Sequence, residues 1–283
     1  MLPRRKSKKT VSRKISDFIA RTTPKDIPVD VRDIAKLHLL DGLATMLGGS
    51  KEQSSRISCR HYSRLGSKAE AAVVGTNLRI ATEHAALVNG MQAHVLDNDD
   101  AQMTTLASRP LGQQTHPTSP VLAAVLALAQ SRCATGAQLL ASYIVGVEVA
   151  CRVGDAFDPS HYLDGFHPTG TFGAAAACAH LSQLTPTSIR HALGIAGTIT
   201  TGLRANRGTM AKRLNAGRAA ESGVIAATLA AEGFSASENI FDDPMGFFAA
   251  ACKNTVDRNL LHFGKPFFFA SPGVGTNFIL APA

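Results

Sequence analysis

Residues 212–233 read KRLNAGRAAESGVIAATLAAEG, and this stretch decides the fold. It is rich in residues that favour helix and contains no proline, so it predicts one long helix. Gly233 stops it, because glycine readily takes the left-handed conformation that ends helices. Gly217, Ala220, Gly223, Ala227 and Ala231 recur at three- and four-residue steps. Such a row of small side chains marks a seam where a second helix can approach closely. The chain around it should therefore be built of packed helices.

The same pattern returns on both sides. Residues 15–21 and 31–49 read as helices, the second with Val31, Ile34, Leu37, Leu40, Leu43 and Leu47 as an apolar stripe and His38 beside it. Gly48-Gly49 ends that helix. Residues 54–65 predict a short basic helix, 69–76 a short strand or extended loop, and 82–96 a further helix. Ser119-Pro120 reads as a helix start, with Ser as N-cap and Pro at the first helical position. The run that follows, VLAAVLALAQ, is apolar nearly all round and should be buried. Thr135 with Gln138 forms a capping box for a helix through about Asp155. Inside it Glu148 and Arg152 stand one turn apart, a structural pair. HYLDGFHPTGTFG (161–173) reads as a glycine-punctuated loop that opens an alanine-rich helix, and Thr185-Pro186 caps another. The sum is about eight to ten helices and little strand, against a usual strand share of about 20–25%. The alternation that builds a doubly wound sheet is absent. The fold class is all-α, a multi-helix, bundle-like body.

Both ends differ from that body. Arg4, Arg5, Lys6, Lys8, Lys9, Arg13 and Lys14 precede the first acid, Asp17, and removing them from the net charge of +8 leaves +1. The basic character therefore belongs to a tail, residues 1–14. It reads as a solvated arm rather than a nucleic-acid arm or a targeting segment, although its lack of acids faintly resembles a mitochondrial presequence. At the other end, KPFFFASPG reads as a proline-bounded strand that begins a new substructure over residues 263–283. Helical body and tail then divide at 15–262. The five cysteines form no CxxC pair, and each lies in an apolar or helical context. That is a pattern of reduced, buried thiols and points to the cytoplasm, with the mitochondrion as the alternative. The apolar run 139–153 is broken by Glu148 and Arg152, so no membrane span is expected.

Three clusters could carry chemistry. The stretch 88–120 holds His94, Asp97, Asp99, Asp100 and His116. A second holds His161, Asp164 and His167, and a third Arg204, Arg207, Lys212, Arg213 and Arg218. Cations that grip carboxylates beside groups that move protons suit a polycarboxylate substrate. The competing use of His94, Asp97, Asp99 and Asp100 is a metal, but their spacing matches no standard metal motif, and no metal is expected. No dinucleotide fingerprint, P-loop or nucleophile elbow is present.

At these residues the chain resembles the MmgE/PrpD family of 2-methylcitrate dehydratases and cis-aconitate decarboxylases. The matching stretches are LVNGMQAHVLDNDD, THPTSPVLAAVLALA, GVEVACRVG, GFHPTGTFGAAAACA, ALGIAGT, GTMAKRLNAGRAAESGVIAATLAAEGF and FGKPFFFASPGV, in the family's order. The resemblance implies a large helical domain, the start of an α+β lid domain at the C-terminus, a homodimer, and lyase chemistry on citrate-like acids without a cofactor. It carries Asp97 onto the first acid of the LDxDD motif, His116 onto HPS, His167 onto a WHPTG-like motif and Lys212 onto TKxLHxG. Arg204, Arg207 and Arg213 are then expected to bind substrate carboxylates, while Asp99 and Asp100 shape the loop. The chain departs from the pattern at Ala101, Ala211, Asn215 and Asn277, where the family carries Thr, Thr, His and Lys. The alternative reading is a truncated, inactive homologue that persists as a helical dimer or binding module.

Overall fold

The computed structural model describes residues 10–103, 115–156, 166–200, 202–252, 256–271 and 273–275. The basic run through residue 9, His161, Asp164 and Asn277 lie outside the described residues. Helix α1 (Val11–Arg21) begins earlier than the sequence predicts. Its first N–H groups have no partner within the helix, and Asp242, far along the chain, supplies one. The Asp242 carboxylate accepts the Val11 and Ser12 N–H groups at 3.0 Å each. Arg13 and Lys14 are thus part of a helix rather than of the tail.

Helix α2 (Val29–Gly49) keeps Val31, Ile34 and Leu43 of its predicted stripe against the core but turns Leu37, Leu40 and Leu47 outward. Leu37 and Leu40 are 67% and 64% exposed, while Ala35, His38, Gly42, Thr45, Met46 and Gly49 face the interior. The reason is distance. A Cβ on Gly42 would lie 2.7 Å from Leu122 and Thr118 side chains, and one on Gly49 would strike the Gln92 backbone. Close packing of small residues decides this face against hydrophobicity.

Helix α3 (Gln53–Leu65) leads to a minimal antiparallel ladder, β1 (Ala71–Ala72) with β2 (Arg79–Ile80). The centre of the molecule follows: α4 (Thr82–His94), α5 (Thr118–Ser131), α6 (Gly136–Ala156), α7 (Phe166–Leu181), α8 (Pro186–Ile199) and α9 (Met210–Ala231). Helices α5, α7 and α9 pack on one another, α4 lies on α5 and α9, and α6 on α7. The small-residue seam of α9 is spent inside the chain. Gly217 meets Leu87 and Met91 of α4, and Gly223 meets Ala174 of α7. The seam therefore gives no support to a dimer. Helix α6 is long enough to cross a membrane, but it is mostly buried and carries Glu148 and Arg152.

Local signals hold where the partner is near in sequence. Thr135 and Gln138 exchange N–H bonds at 2.8 and 3.3 Å, and Thr185 caps Ser188. The helix predicted over 82–96 ends at His94, and Ser119 is not an N-cap, because α5 starts one residue earlier. Phe166 to Gly173 is the first part of α7 rather than loop. Cys151 and Cys178 are buried, with burial pushing Cys178 up to about 12, but Cys133 is exposed.

The aromatic segment after the short helix α10 (Phe247–Ala251) is not a strand. Phe267, Phe268 and Phe269 lie in and beside a turn and are buried. Burying each ring stabilises by about 1.5–3 kcal/mol, more than an exposed strand could return. The Glu148–Arg152 pair, closed at 3.1 Å, holds this turn: Glu148 accepts the Gly264 and Phe268 N–H groups, and Arg152 donates to the Pro266 carbonyl at 2.6 Å. Beyond it β4 (Val274–Gly275) pairs antiparallel with β3 (Ala101–Gln102). The last described residues are thereby tied to the acidic loop.

Candidate active site

Four segments meet at one end of the helical body. Gly90 of α4 packs on Ala216 and Gly217 of α9, while Asp97, beyond the end of α4, reaches Lys212. The end of α4 is therefore beside the start of α9. Gly170 of α7 packs on Pro120 of α5 and Ala219 of α9. The first turns of α5 and α7 thus share this end. Helix N-termini carry partial positive charge, so their convergence favours an anion.

Asp97 turns the chain here. Its φ of 58° is left-handed, a conformation that aspartate tolerates better than most residues. The turn sends Asp99 and Asp100 inward to 2% and 1% exposure. Two adjacent buried acids need donors, and each has its own set. Asp100 accepts the Thr118 N–H at 3.1 Å and the Thr118 hydroxyl, which places a carboxylate at the N-terminus of α5. His38 Nδ1 lies 3.4 Å from it, with Phe269 against the His38 ring. Asp99 accepts from His94 Nδ1 at 2.8 Å and from Ser119 Oγ at 2.5 Å, and lies 3.7 Å from His116 Nδ1. Burial pushes the Asp99 carboxyl up. His116 and His94, with the hydrogen bonds from His94 and Ser119, outweigh it and hold the group well below the usual carboxylate range.

The residues singled out in the sequence fall into two groups. His116, 17% exposed at its side chain, and Asp97 flank the acidic loop. Lys212 joins them through a 2.7 Å ion pair with Asp97. Burial raises the Asp97 carboxyl, but the bond and charge of Lys212 prevail and lower it. Arg204 and Arg207 stand exposed in the turn before α9, and Arg213 spends a guanidinium N–H on the Thr209 carbonyl at 2.8 Å. Arg218 turns away to Glu221. The backbone of His167 lies in the first turn of α7, and its side chain lies outside the described residues. Sequence reasoning left Asp99 as a loop-shaping residue and Ser119 as a helix cap. Asp99 instead meets the two histidines, and Ser119 donates to Asp99. The HxxDxDD spacing carried the signal, but reading it requires the inward turn at Asp97.

Ligand atoms of His94, Asp99 and His116 lie within 4.8 Å of one another, close enough for an ion. The donors around them argue for another use. Asp99 already accepts an N–H and an O–H. Such a site suits proton transfer beside an anionic ligand better than a cation.

Residues 13–258 match the MmgE/PrpD N-terminal domain. The cis-aconitate decarboxylase-like protein oryM of Aspergillus oryzae is 32% identical over 250 residues, covering 84% of this chain and 50% of that protein. The cis-aconitate decarboxylase of Aspergillus terreus is 31% identical over 252 residues, with 86% and 50% covered. The human cis-aconitate decarboxylase is 32% identical over 224 residues, with 76% and 45% covered. The chain spans about half the length of these curated relatives. With its helical architecture and seven matching stretches, the chain belongs to the MmgE/PrpD family.

Proposed function

We propose that this chain is a lyase of the MmgE/PrpD type that acts on a citrate-like polycarboxylate, by cis-aconitate decarboxylation or 2-methylcitrate dehydration. The observation that carries the reading is the meeting of Lys212 and Asp97 with the His94–Asp99–His116 cluster at the shared start of α5, α7 and α9. Lys212 and the exposed Arg204 and Arg207 hold substrate carboxylates, aided by the helix N-termini. His116 moves a proton at the neighbouring carbon. In decarboxylation the C–C electron pair stays on the substrate as CO2 leaves, and that carbon takes the proton. In dehydration a base removes a C–H proton and the departing hydroxyl is protonated. Neither route requires a cofactor. A homodimer in the cytoplasm belongs to the same reading.

Purified protein incubated with cis-aconitate, 2-methylcitrate and citrate tests it. Turnover of at least one acid is expected, falling about 10²–10⁴-fold in His116→Ala and Lys212→Ala. Turnover that both variants leave intact would remove this site assignment. A binding module without turnover is the second reading. Asn215 favours it: this residue stands where the family carries His, and its buried amide nitrogen has no hydrogen-bond partner among the described residues. Polycarboxylate binding by calorimetry with no product formed would select that alternative.

A further inference from the structure

The neighbours of His116 reveal its tautomer. Nδ1 lies 2.8 Å from the backbone carbonyl of Asp100, which can only accept, so Nδ1 carries a hydrogen. Nε2 is then the atom that takes or gives a proton. The Asp99 carboxylate lies 3.7 Å from the same Nδ1, on the side of the ring away from that chemistry. We propose that Asp99 is a positioning residue for His116: its carboxylate, fixed by His94 and Ser119, stabilises the imidazolium that forms when Nε2 takes a proton. The inference deepens the lyase reading by giving His116 its electrostatic partner, but the pairing itself is measurable without turnover.

Among the described residues, the other charges near His116 have partners or neighbours of their own. Asp97, after α4, is neutralised by Lys212 of α9 at 2.7 Å. Asp100 has His38 of α2 at 3.4 Å and the Thr118 donors of α5. Asp41 of α2 faces Asp100 and Asp99; burial and those two acids push its carboxyl up. On α6, Tyr143 shares the Thr118 hydroxyl, with burial and Asp100 raising its phenol well above the usual range, and Asp155 accepts from Gln102 at 2.6 Å. Among the described residues, Asp99 is the carboxylate directed at the ring. His94 donates to it through Nδ1, and the two imidazole rings stand 5.1 Å apart. Ser119 holds the carboxylate from the first turn of α5. A carboxylate with two fixed donors cannot swing away when the imidazole charges, so its stabilisation is present without reorganisation.

The test is Asp99→Asn, which keeps the shape and an acceptor for Ser119 but removes the charge. The imidazole titration of His116 is followed by NMR in the whole chain, alongside kcat and KM against pH. Removing the Asp99 charge is expected to move the His116 midpoint to lower pH. The kinetic limb that follows His116 should move with it, and kcat should fall about 10–100-fold while KM stays within about twofold. Ser119→Ala is the opposite-sign partner: it strips one donor from Asp99, leaves more of its charge for His116, and should move the midpoint upward. An unmoved or raised midpoint in folded Asp99→Asn overturns the proposal. If that variant does not fold, Ser119→Ala decides, and an unmoved or lowered midpoint overturns it. Absence of turnover on every acid removes the lyase reading alone, because the NMR midpoints still report the pairing.

Discussion

The molecule holds buried and half-buried histidines in two kinds of place. Where α4 ends and α5 starts, His94 and His116 face the carboxylate of Asp99. Beside the end of α1, His180 of α7 sits in a hollow lined by α1, α6 and α8, and its partners are neutral. Nε2 donates to the Thr22 carbonyl at 2.9 Å, and Nδ1 accepts the Ser142 hydroxyl at 2.8 Å. Burial pushes His180 down, opposed only by its bond to Thr22. The hollow around His180 is a cavity of about 250 Å³, yet the charge that would let a histidine hold a proton is at the other place. Concavity marks space, and the carboxylate partner marks chemistry.

A buried carboxylate with no histidine gives the sharpest control. Glu148→Ala leaves Arg152 buried without its partner and frees the N–H groups of Gly264 and Phe268. A loss of about 3–5 kcal/mol in urea unfolding is expected, with the His116 titration unmoved. A shifted His116 midpoint would show that any buried acid reaches the cluster, and the contrast between the two regions would fall.

Asp100→Ala comes next. It removes the acceptor for the Thr118 N–H and hydroxyl and takes the carboxylate away from His38. About 2–3 kcal/mol should be lost, mostly through unsatisfied buried groups. Lys212→Ala, on the open side of the same site, should cost under about 1 kcal/mol in stability, because its partner Asp97 is 55% exposed at the side chain. It should still weaken polycarboxylate binding about tenfold or more, read by calorimetry. Equal destabilisation by the two substitutions would mean that the inner and outer sides of the site are not distinct.

What the sequence made legible was whatever depends on neighbours in the chain. The Thr135–Gln138 box, the Thr185 cap, the stop at Gly233 and the Glu148–Arg152 pair each need only three or four residues and a helix. The all-α fold follows from the same signals. The face of α2 was legible only at Val31, Ile34 and Leu43, because Leu37 and Leu40 are more apolar than Gly42 or His38 and still lose the interior to them. That outcome depends on how closely α4 and α5 approach, which no period within α2 encodes. Asp99 was missed for a related reason. Adjacent acids read as mutually repelling until a turn at Asp97 brings Ser119, His94 and Thr118 to them from both sides. The aromatic run 267–269 was read as strand from composition, while its anchor is Glu148, 120 residues away from Phe268.

The smallest effect concerns His180, and it tests the neutral half of the comparison. An unfolded histidine takes a proton near pH 6.5, and burial lowers that point in the folded chain. Between the two values the unfolded state binds more protons than the folded one. Stability therefore rises with pH across this window, is complete above about pH 6.5, and is lost on acidification by at most about 1.4 kcal/mol per pH unit. Charging His180 would also put a donor where Nδ1 now accepts from Ser142, so the Ser142 hydroxyl would have to turn. His180→Gln keeps an amide donor for the Thr22 carbonyl and an acceptor for Ser142 but cannot titrate. Urea midpoints measured from pH 7.5 to 5 should fall more steeply in the parent chain than in His180→Gln. Parallel lines would mean that His180 gains no proton on unfolding, and that neutral partners and a carboxylate hold a buried histidine in the same way.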